Sequence, residues 1–336
     1  MDKIVIVVPC YNEQEVLRQF YAKLSNVLRD LHDCSFSCLF VDDGSTDDTL
    51  QILRELSAGD PNVHYRSLSR NFGKESAMLA GLDAAEGDAV ILMDADLQHP
   101  PERIPEMISW WRKGYDDVCM KRTDRSDETV FKRTMTNLFY RILQAVSRCE
   151  IQRNVGDFRL LDRRCVAALR LMRENQRFTK GLFTWIGFRK KELSFHVQPR
   201  AAGKTTWNYF ALYNLAAEGL TSFTTAPLRM TTFLGLAVSL LAISYMFIVL
   251  INALLYGDPV AGYPTLMTVM LFLGGVQLLS LGIMGEYLSR VFMESKQRPI
   301  YLVAEADGKK ILYTPSDPLE RQIASSWEEG GRSDET

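Results

Sequence analysis

Two aspartates one residue apart are the first candidates for chemistry in this chain. Asp94-Ala95-Asp96-Leu97-Gln98 follows an apolar run, Ala89-Val90-Ile91-Leu92-Met93. In an extended backbone, residues i and i+2 point the same way. Asp94, Asp96 and Gln98 are therefore expected to present their oxygens together at the end of a strand. Two carboxylates leave a hard divalent ion free to take its remaining oxygens from water and phosphate. The spacing points to Mg2+ or Mn2+ held against a phosphorylated substrate. An acidic surface turn is the plainer alternative, and the buried strand in front of the pair weighs against it.

Two further acidic segments close apolar runs. Val41-Asp42-Asp43-Gly44-Ser45-Thr46-Asp47 ends one strand candidate, and Pro9-Cys10-Tyr11-Asn12-Glu13 ends another. Ser45 or Thr46 can cap the next helix, but that leaves adjacent acids at a strand exit unexplained. Lys121, Arg122, Arg125, Lys132 and Arg133 form a basic group suited to an anion, because arginine grips phosphate through two hydrogen bonds. A solvated basic face is the alternative. Asp157, in Gly156-Asp157-Phe158-Arg159, reads either as a group acting on substrate or as an ion-pair partner of Arg159 or Arg163. Ala202-Gly203-Lys204-Thr205 is no P-loop, since Gln198 stands where a Walker A motif needs glycine.

These segments need a scaffold. Up to about residue 200, strand candidates Ile4–Val8, Phe36–Val41, Val63–Leu68, Ala89–Met93 and Asp117–Lys121 alternate with helix candidates Glu13–Leu31, Thr46–Leu56, Lys74–Ala85 and Pro101–Arg112. Alternation of this kind predicts βαβ units, a mostly parallel sheet, and ligands at the strands' carboxyl ends. Asn154–Phe158 reads as a polar turn, followed by a helix near Arg163–Arg173 and a late strand, Leu193–Val197. The N-terminal run is too short for a signal segment and reads as a buried strand.

The 39 basic and 41 acidic residues give no nucleic-acid footprint. The six cysteines lack zinc-site spacing and read as reduced thiols, which suits a cytoplasmic compartment. After Thr206 the composition turns apolar. Trp207–Phe223 reads as an amphipathic interfacial helix. Met230–Tyr256 and Pro264–Gly285 carry no charge, and each exceeds the roughly 20 residues that span hydrocarbon. Arg200, Lys204 and Arg229 flank one side, and Arg290, Lys296 and Arg298 the other. This predicts a hairpin with both ends cytoplasmic.

Together the acidic motifs resemble family 2 glycosyltransferases of the GT-A fold. The likeness is greatest to the polyprenyl-phosphate branch, the bactoprenol glucosyltransferase and dolichyl-phosphate mannose synthase type. Pro9–Glu13 looks like that family's P-x-Y-N-E, and Val41–Asp47 like V-D-D-G-S-T-D. Asp94–Pro101 is similar to D-x-D-L-Q-x-P-P, and Asn154–Arg163 reads N-V-G-D-F-R-L-L-D-R. The resemblance covers roughly residues 3–300. It implies a cytoplasmic α/β GT-A domain over 1–206, with a Rossmann-like, mixed and mostly parallel sheet. An interfacial helix (207–228), two transmembrane helices (about 230–256 and 264–286, within 229–290) and a partly disordered cytoplasmic tail (291–336) follow. The expected location is the inner membrane, as a multi-pass protein.

The resemblance also implies roles. Pro9, Tyr11, Glu13, Asp42, Asp43, Asp94, Ala95 and Arg200 would bind the nucleotide-sugar. Asp94, Asp96 and Gln98 would hold Mg2+ or Mn2+. Asp96 and Asp157 would be the catalytic pair, and Arg122, Lys132 and Arg133 would grip the acceptor phosphate. The implied reaction moves a sugar, glucose from UDP-glucose as first choice, to polyprenyl (undecaprenyl) phosphate with inversion. GDP-mannose and modified UDP-pentoses are alternative donors, and a homotetramer is an implied assembly. A processive polysaccharide synthase would carry Q-x-x-R-W and more spans, which Gln176-Arg177 does not supply. An inactive scaffold need not keep Asp94, Asp96 and Asp157.

Overall fold

The computed structural model describes residues 1–122, 155–175, 177–195 and 262–313, with scattered positions between 231 and 255. Strand β1 (Asp2–Cys10) contains the run Ile4-Val5-Ile6-Val7-Val8. Ile4, Ile6 and Val8 join one core with Phe20, Leu24, Phe40 and Met107, while Val5 and Val7 join another with Leu39, Leu82, Leu92 and Leu169. A strand covered on both faces has no reason to alternate apolar with polar, so the run is apolar throughout.

Helices α1 (Leu17–Arg29), α2 (Thr49–Gly59) and α4 (Ile104–Arg112) cover the first face. Helices α3 (Lys74–Ala84), α5 (Arg163–Leu171) and α6 (Thr179–Trp185) cover the second. Between them lie β2 (Cys34–Asp42), β3 (Val63–Leu68), β4 (Ala89–Leu92), β5 (Asp117–Arg122), β6 (Val155–Asp162) and β7 (Lys190–Phe195). With β8 (Val303–Ala306) and β9 (Lys309–Lys310), the described residues form a nine-stranded sheet of order β7-β5-β6-β4-β1-β2-β3-β8-β9.

The centre, β3-β2-β1-β4, is parallel, as the alternation predicts. The sheet as a whole is more mixed than expected. β6 runs antiparallel to both β4 and β5, and β8 antiparallel to β3. Residues 155–158 are therefore strand, not a polar turn. Gly156-Asp157 looks turn-like in sequence, but the pairing of β6 with β5, from Asp117↔Leu161 to Lys121↔Val155, carries the strand through it. The reversal matters for the site: Leu92 pairs with Arg159, so Asp157 lies just beyond the end of β4.

Residues 299–313 fold back onto the domain. β8 extends the sheet beside β3, and Arg54 clamps Glu305 through Nε at 2.9 Å and Nη2 at 2.6 Å. Asp307 and Gly308, both left-handed at φ 46° and 77°, form the two-residue turn into β9, a conformation that suits Asp-Gly hairpins. Helix α7 (Tyr263–Ser295) precedes this strap, and its Glu294 accepts from Asn175 N at 2.8 Å and Nδ2 at 3.1 Å. Leu278, Leu281 and Leu288 on α7 are exposed. Among the described residues no helix is long and apolar enough to cross a membrane. Residues 207–228 and the chain end lie outside the described residues. The described cysteines, Cys10, Cys34, Cys38, Cys119 and Cys165, are buried free thiols.

Candidate functional site

The site forms where β1, β2, β3 and β4 release the chain at their carboxyl ends. After β1, Asn12 takes a left-handed conformation (φ 54°) and bonds the β2 loop both ways. Its N–H donates to Ser45 Oγ at 2.9 Å, and its Oδ1 accepts from Thr46 N at 2.9 Å. Glu13 N donates to Thr49 Oγ1 at 2.8 Å. Pro9 is half-buried, and Tyr11 is 45% exposed beside this junction.

After β2, the buried pair Asp42 and Asp43 organises the neighbouring loops. Asp42 accepts from Ser45 N at 3.1 Å and from Ser67 Oγ at 2.8 Å. Asp43 accepts from Phe72 N at 2.8 Å and Gly73 N at 2.9 Å, immediately before α3 begins. Burial raises the Asp43 carboxyl above its ordinary range, against the lowering pull of those two amides. Gly44 makes the approach feasible. Its φ is 67°, and a Cβ there would lie 2.4 Å from the Arg70 carbonyl carbon.

Asp43 thereby sets the start of α3 and its first residue, Lys74. The Lys74 ammonium lies 2.6 Å from Asp94 Oδ1, 2.8 Å from Asp94 Oδ2 and 2.7 Å from Asp157 Oδ2. Burial lowers the affinity of Lys74 for its proton, but Asp94 and Asp157 outweigh that and raise it. Burial likewise acts to raise Asp157, and Lys74, Lys180 and Arg159 together hold it below the usual carboxylate range. Among the described residues, Asp157 Oδ1 is buried without a hydrogen-bond partner. Arg159 and Arg163, the partners considered from sequence, pair elsewhere: Arg159 with Asp117 at 3.0 Å and Arg163 with Asp88 at 4.0 Å.

Asp94–Gln98 is not the extended strand end that the i, i+2 reading assumed. β4 stops at Leu92, and Leu97 is left-handed at φ 62°. A non-glycine residue in that region marks a conformation imposed by its surroundings. The burial alternation survives: Ala95 and Leu97 are buried, while Asp94, Asp96 and Gln98 are partly open. Gln98 N donates to Asp96 Oδ1 at 3.0 Å, and Asp94 N donates to the buried His99 Nδ1 at 3.1 Å. His99 stacks on Phe158 with ring centroids 5.1 Å apart, which ties the loop to β6.

The carboxylates suit a divalent ion that shares its shell with a diphosphate. Among the described residues no three His, Cys, Asp or Glu side chains converge as a closed cage, and such ions keep non-protein oxygens. The lysine ammonium between Asp94 and Asp157 shows that the position draws a cation.

The basic group and Arg200 are reached only in part. Lys121 pairs with Val155 and Arg122 with Phe195 in the ladder, so β5 and β7 end, and β6 begins, on this same edge. The Arg122 side chain, Lys132, Arg133 and Arg200 lie outside the described residues. Sequence reading missed Lys74 and His99. Arg70-Asn71-Phe72-Gly73-Lys74, directly after the Val63–Leu68 run, was the available signal for the first. His99 offered none beyond its nearness to Asp96.

A doubly covered mixed sheet that gathers carboxylates at its carboxyl edge, with one antiparallel strand returning Asp157 to them, defines a GT-A-like glycosyltransferase domain. The chain belongs to glycosyl transferase family 2, whose description matches residues 5–170. A second match, described as the GtrB C-terminal hairpin, covers residues 226–291. An uncharacterized glycosyltransferase of Synechocystis sp. is 44% identical over 95% of this chain and 98% of its own. The bactoprenol glucosyl transferase of Shigella phage SfV is 44% identical over 91% of this chain and 100% of its own. A prophage bactoprenol glucosyl transferase homolog of Escherichia coli is 42% identical over 90% of this chain and 98% of its own. Solved structures resemble it only loosely. Glucosyl-3-phosphoglycerate synthase from Mycobacterium tuberculosis aligns at 19% identity and TM-score 0.44, over 65% of this chain and 75% of that one.

Proposed function

We propose that this glycosyltransferase moves glucose from UDP-glucose to polyprenyl phosphate, with inversion, at the cytoplasmic face of the membrane. The observation that carries the reading is the convergence of Asp94 and Asp157 at the sheet's carboxyl edge, beside Asp96. Relatives named bactoprenol glucosyl transferase, alike over nearly the whole chain, supply the sugar and the lipid.

Pro9, Tyr11, Glu13, Asp42, Asp43 and Ala95 border the nucleoside end, with the two buried acids acting through the loops that they hold. Asp94, Asp96 and Gln98 would bind Mg2+ or Mn2+ together with the donor diphosphate. When bound, the ion stabilises the charge that develops on the leaving diphosphate. Asp157 suits orientation better than proton removal. Its carboxylate is held ionised, and a phosphate acceptor is already anionic near neutral pH, with a second pKa of ~6 by analogy with phosphoserine. Its Oδ1, without a partner among the described residues, can accept from a sugar hydroxyl. Arg122, Lys132 and Arg133 would hold the acceptor phosphate, and Arg200 the donor phosphates.

Membrane anchoring belongs to the same proposal. The uncharged runs Met230–Tyr256 and Pro264–Gly285 fall inside the matched hairpin, and the exposed leucines of α7 suit a lipid surface. A homotetramer would set several such hairpins side by side.

The test is direct. Membranes containing the chain, supplied with undecaprenyl phosphate, are incubated with labelled UDP-glucose, GDP-mannose and UDP-pentoses, and lipid is extracted. Label is expected in the lipid from UDP-glucose. Label from GDP-mannose alone would replace the donor, and no lipid label from any donor would overturn the acceptor.

A further inference from the structure

The carboxylate cluster contains its own cation. Three carboxylate oxygens, Asp94 Oδ1, Asp94 Oδ2 and Asp157 Oδ2, lie within 2.8 Å of the Lys74 ammonium. An ammonium offers three N–H donors and no acceptor, so this is a full set of partners. It is also an arrangement of oxygens that a divalent ion would seek. Without a cation between them, Asp94 and Asp157 would repel each other at short range in a partly desolvated cleft.

The Lys74 backbone is fixed, while its ammonium is held by these carboxylates at a partly open position. Its backbone opens α3, directly after the two amides bound by the Asp43 carboxylate. Its side chain is 44% exposed. The ammonium can therefore shift without opening either core.

We propose that Lys74 is an internal counter-ion of the cation site. It bridges Asp94 and Asp157 until a divalent ion carrying a nucleoside diphosphate takes over Asp94, and it then stays with Asp157 as the positioning residue that aims that carboxylate. The proposal rests on the reading of Asp94 as an ion ligand. Lys74 and the ion compete for the same oxygens, so bare ion binds weakly, and ion accompanied by diphosphate binds well because the added anion gives the displaced ammonium a second partner.

Mn2+ binding to the full chain in detergent, without nucleotide, is followed by electron paramagnetic resonance. Lys74→Met and Lys74→Gln remove the charge, and Lys74→Arg keeps it. The neutral variants are expected to bind Mn2+ about tenfold more tightly than wild type, the order of effect of one adjacent like charge. Lys74→Arg should stay near wild type. In transfer assays the neutral variants should lose kcat while the KM for donor changes little, a split that a merely structural residue would not produce. Having two neutral replacements keeps the comparison available should one fail to fold. Asp94→Asn, measured with UDP present, distinguishes the ion reading from the counter-ion role. If it binds Mn2+ as wild type does, the ion reading and this proposal fall together. If it loses Mn2+ while both neutral Lys74 variants bind no more tightly than wild type, only the counter-ion role is overturned.

Discussion

Replacing Asp43 by Asn changes a single oxygen, yet the structure gives it a definite cost. The Asp43 side chain is buried, and its oxygens accept separately from Phe72 N at 2.8 Å and Gly73 N at 2.9 Å. α3 has no side-chain cap of its own, so this carboxylate supplies acceptors and negative charge at the helix start. Asparagine keeps one acceptor and turns an amide N–H2 toward the other N–H. Gly73 N has a second acceptor in Asn71 Oδ1 at 3.0 Å, so the strained arrangement falls there and not at Phe72. Losing one charge-assisted bond costs roughly 1.5–3 kcal/mol, and Asn71 returns part of it, leaving a loss of about 2 kcal/mol. The functional effect should exceed the stability effect, because Lys74 follows at once and meets Asp94 and Asp157. Denaturant unfolding of the full chain in detergent reads the first quantity. Calorimetry with UDP and Mn2+, beside lipid transfer, reads the second. The expected result is modest destabilisation, nearly normal UDP binding and transfer lowered by about tenfold or more, as a misplaced group would give. Unchanged stability with lost UDP binding would refute the reasoning and make Asp43 a direct nucleoside contact.

Other outcomes follow from the same geometry. EDTA should abolish transfer, and Asp96→Asn should cost about 3 kcal/mol of transition-state stabilisation, measured through kcat/KM; full activity in EDTA would remove the ion from the reaction. Arg133→Ala should cripple transfer to lipid while sparing donor affinity, and Arg200→Ala should weaken the donor first; equal losses from Arg133→Ala would place the basic group in the donor site. Arg159→Met leaves Asp117, 0% exposed, without its partner at 3.0 Å, and should destabilise by about 3–5 kcal/mol. Burial already raises the Asp117 carboxyl, and losing Arg159 raises it further. A group whose folded pKa is raised favours the folded state while protonated, and that advantage is lost as pH rises through the folded pKa. The Arg159→Met deficit should therefore be smaller near pH 4 than near pH 8 in unfolding experiments. A reporter fused at residue 260 should read periplasmic and one at residue 300 cytoplasmic; the reverse would overturn the hairpin's orientation.

The linear order of residues determined a good deal by itself. Ile4–Val8 is apolar at every position, which only a strand covered on both faces requires, and the parallel centre β3-β2-β1-β4 followed from that pattern repeated. Asp42, Asp43, Asp94 and Asp96 were legible because each ends such a run, and a parallel sheet brings its strand ends to one edge. What lay beyond the sequence were the partnerships across that edge. Gly156-Asp157 has the composition of a turn, and only the pairing of β6 with β5 beyond the end of β4 makes it strand and carries Asp157 to the site. Lys74 looks like any lysine at a helix start until Asp43, 31 residues earlier in the chain, fixes the loop that aims it. Val303–Ala306 is too short to announce a strand, and it becomes one because β3 offers it an open edge and Arg54 a partner for Glu305. Periodicity reports what each segment buries, whereas the pairing of charges depends on which distant segments the folded sheet sets side by side.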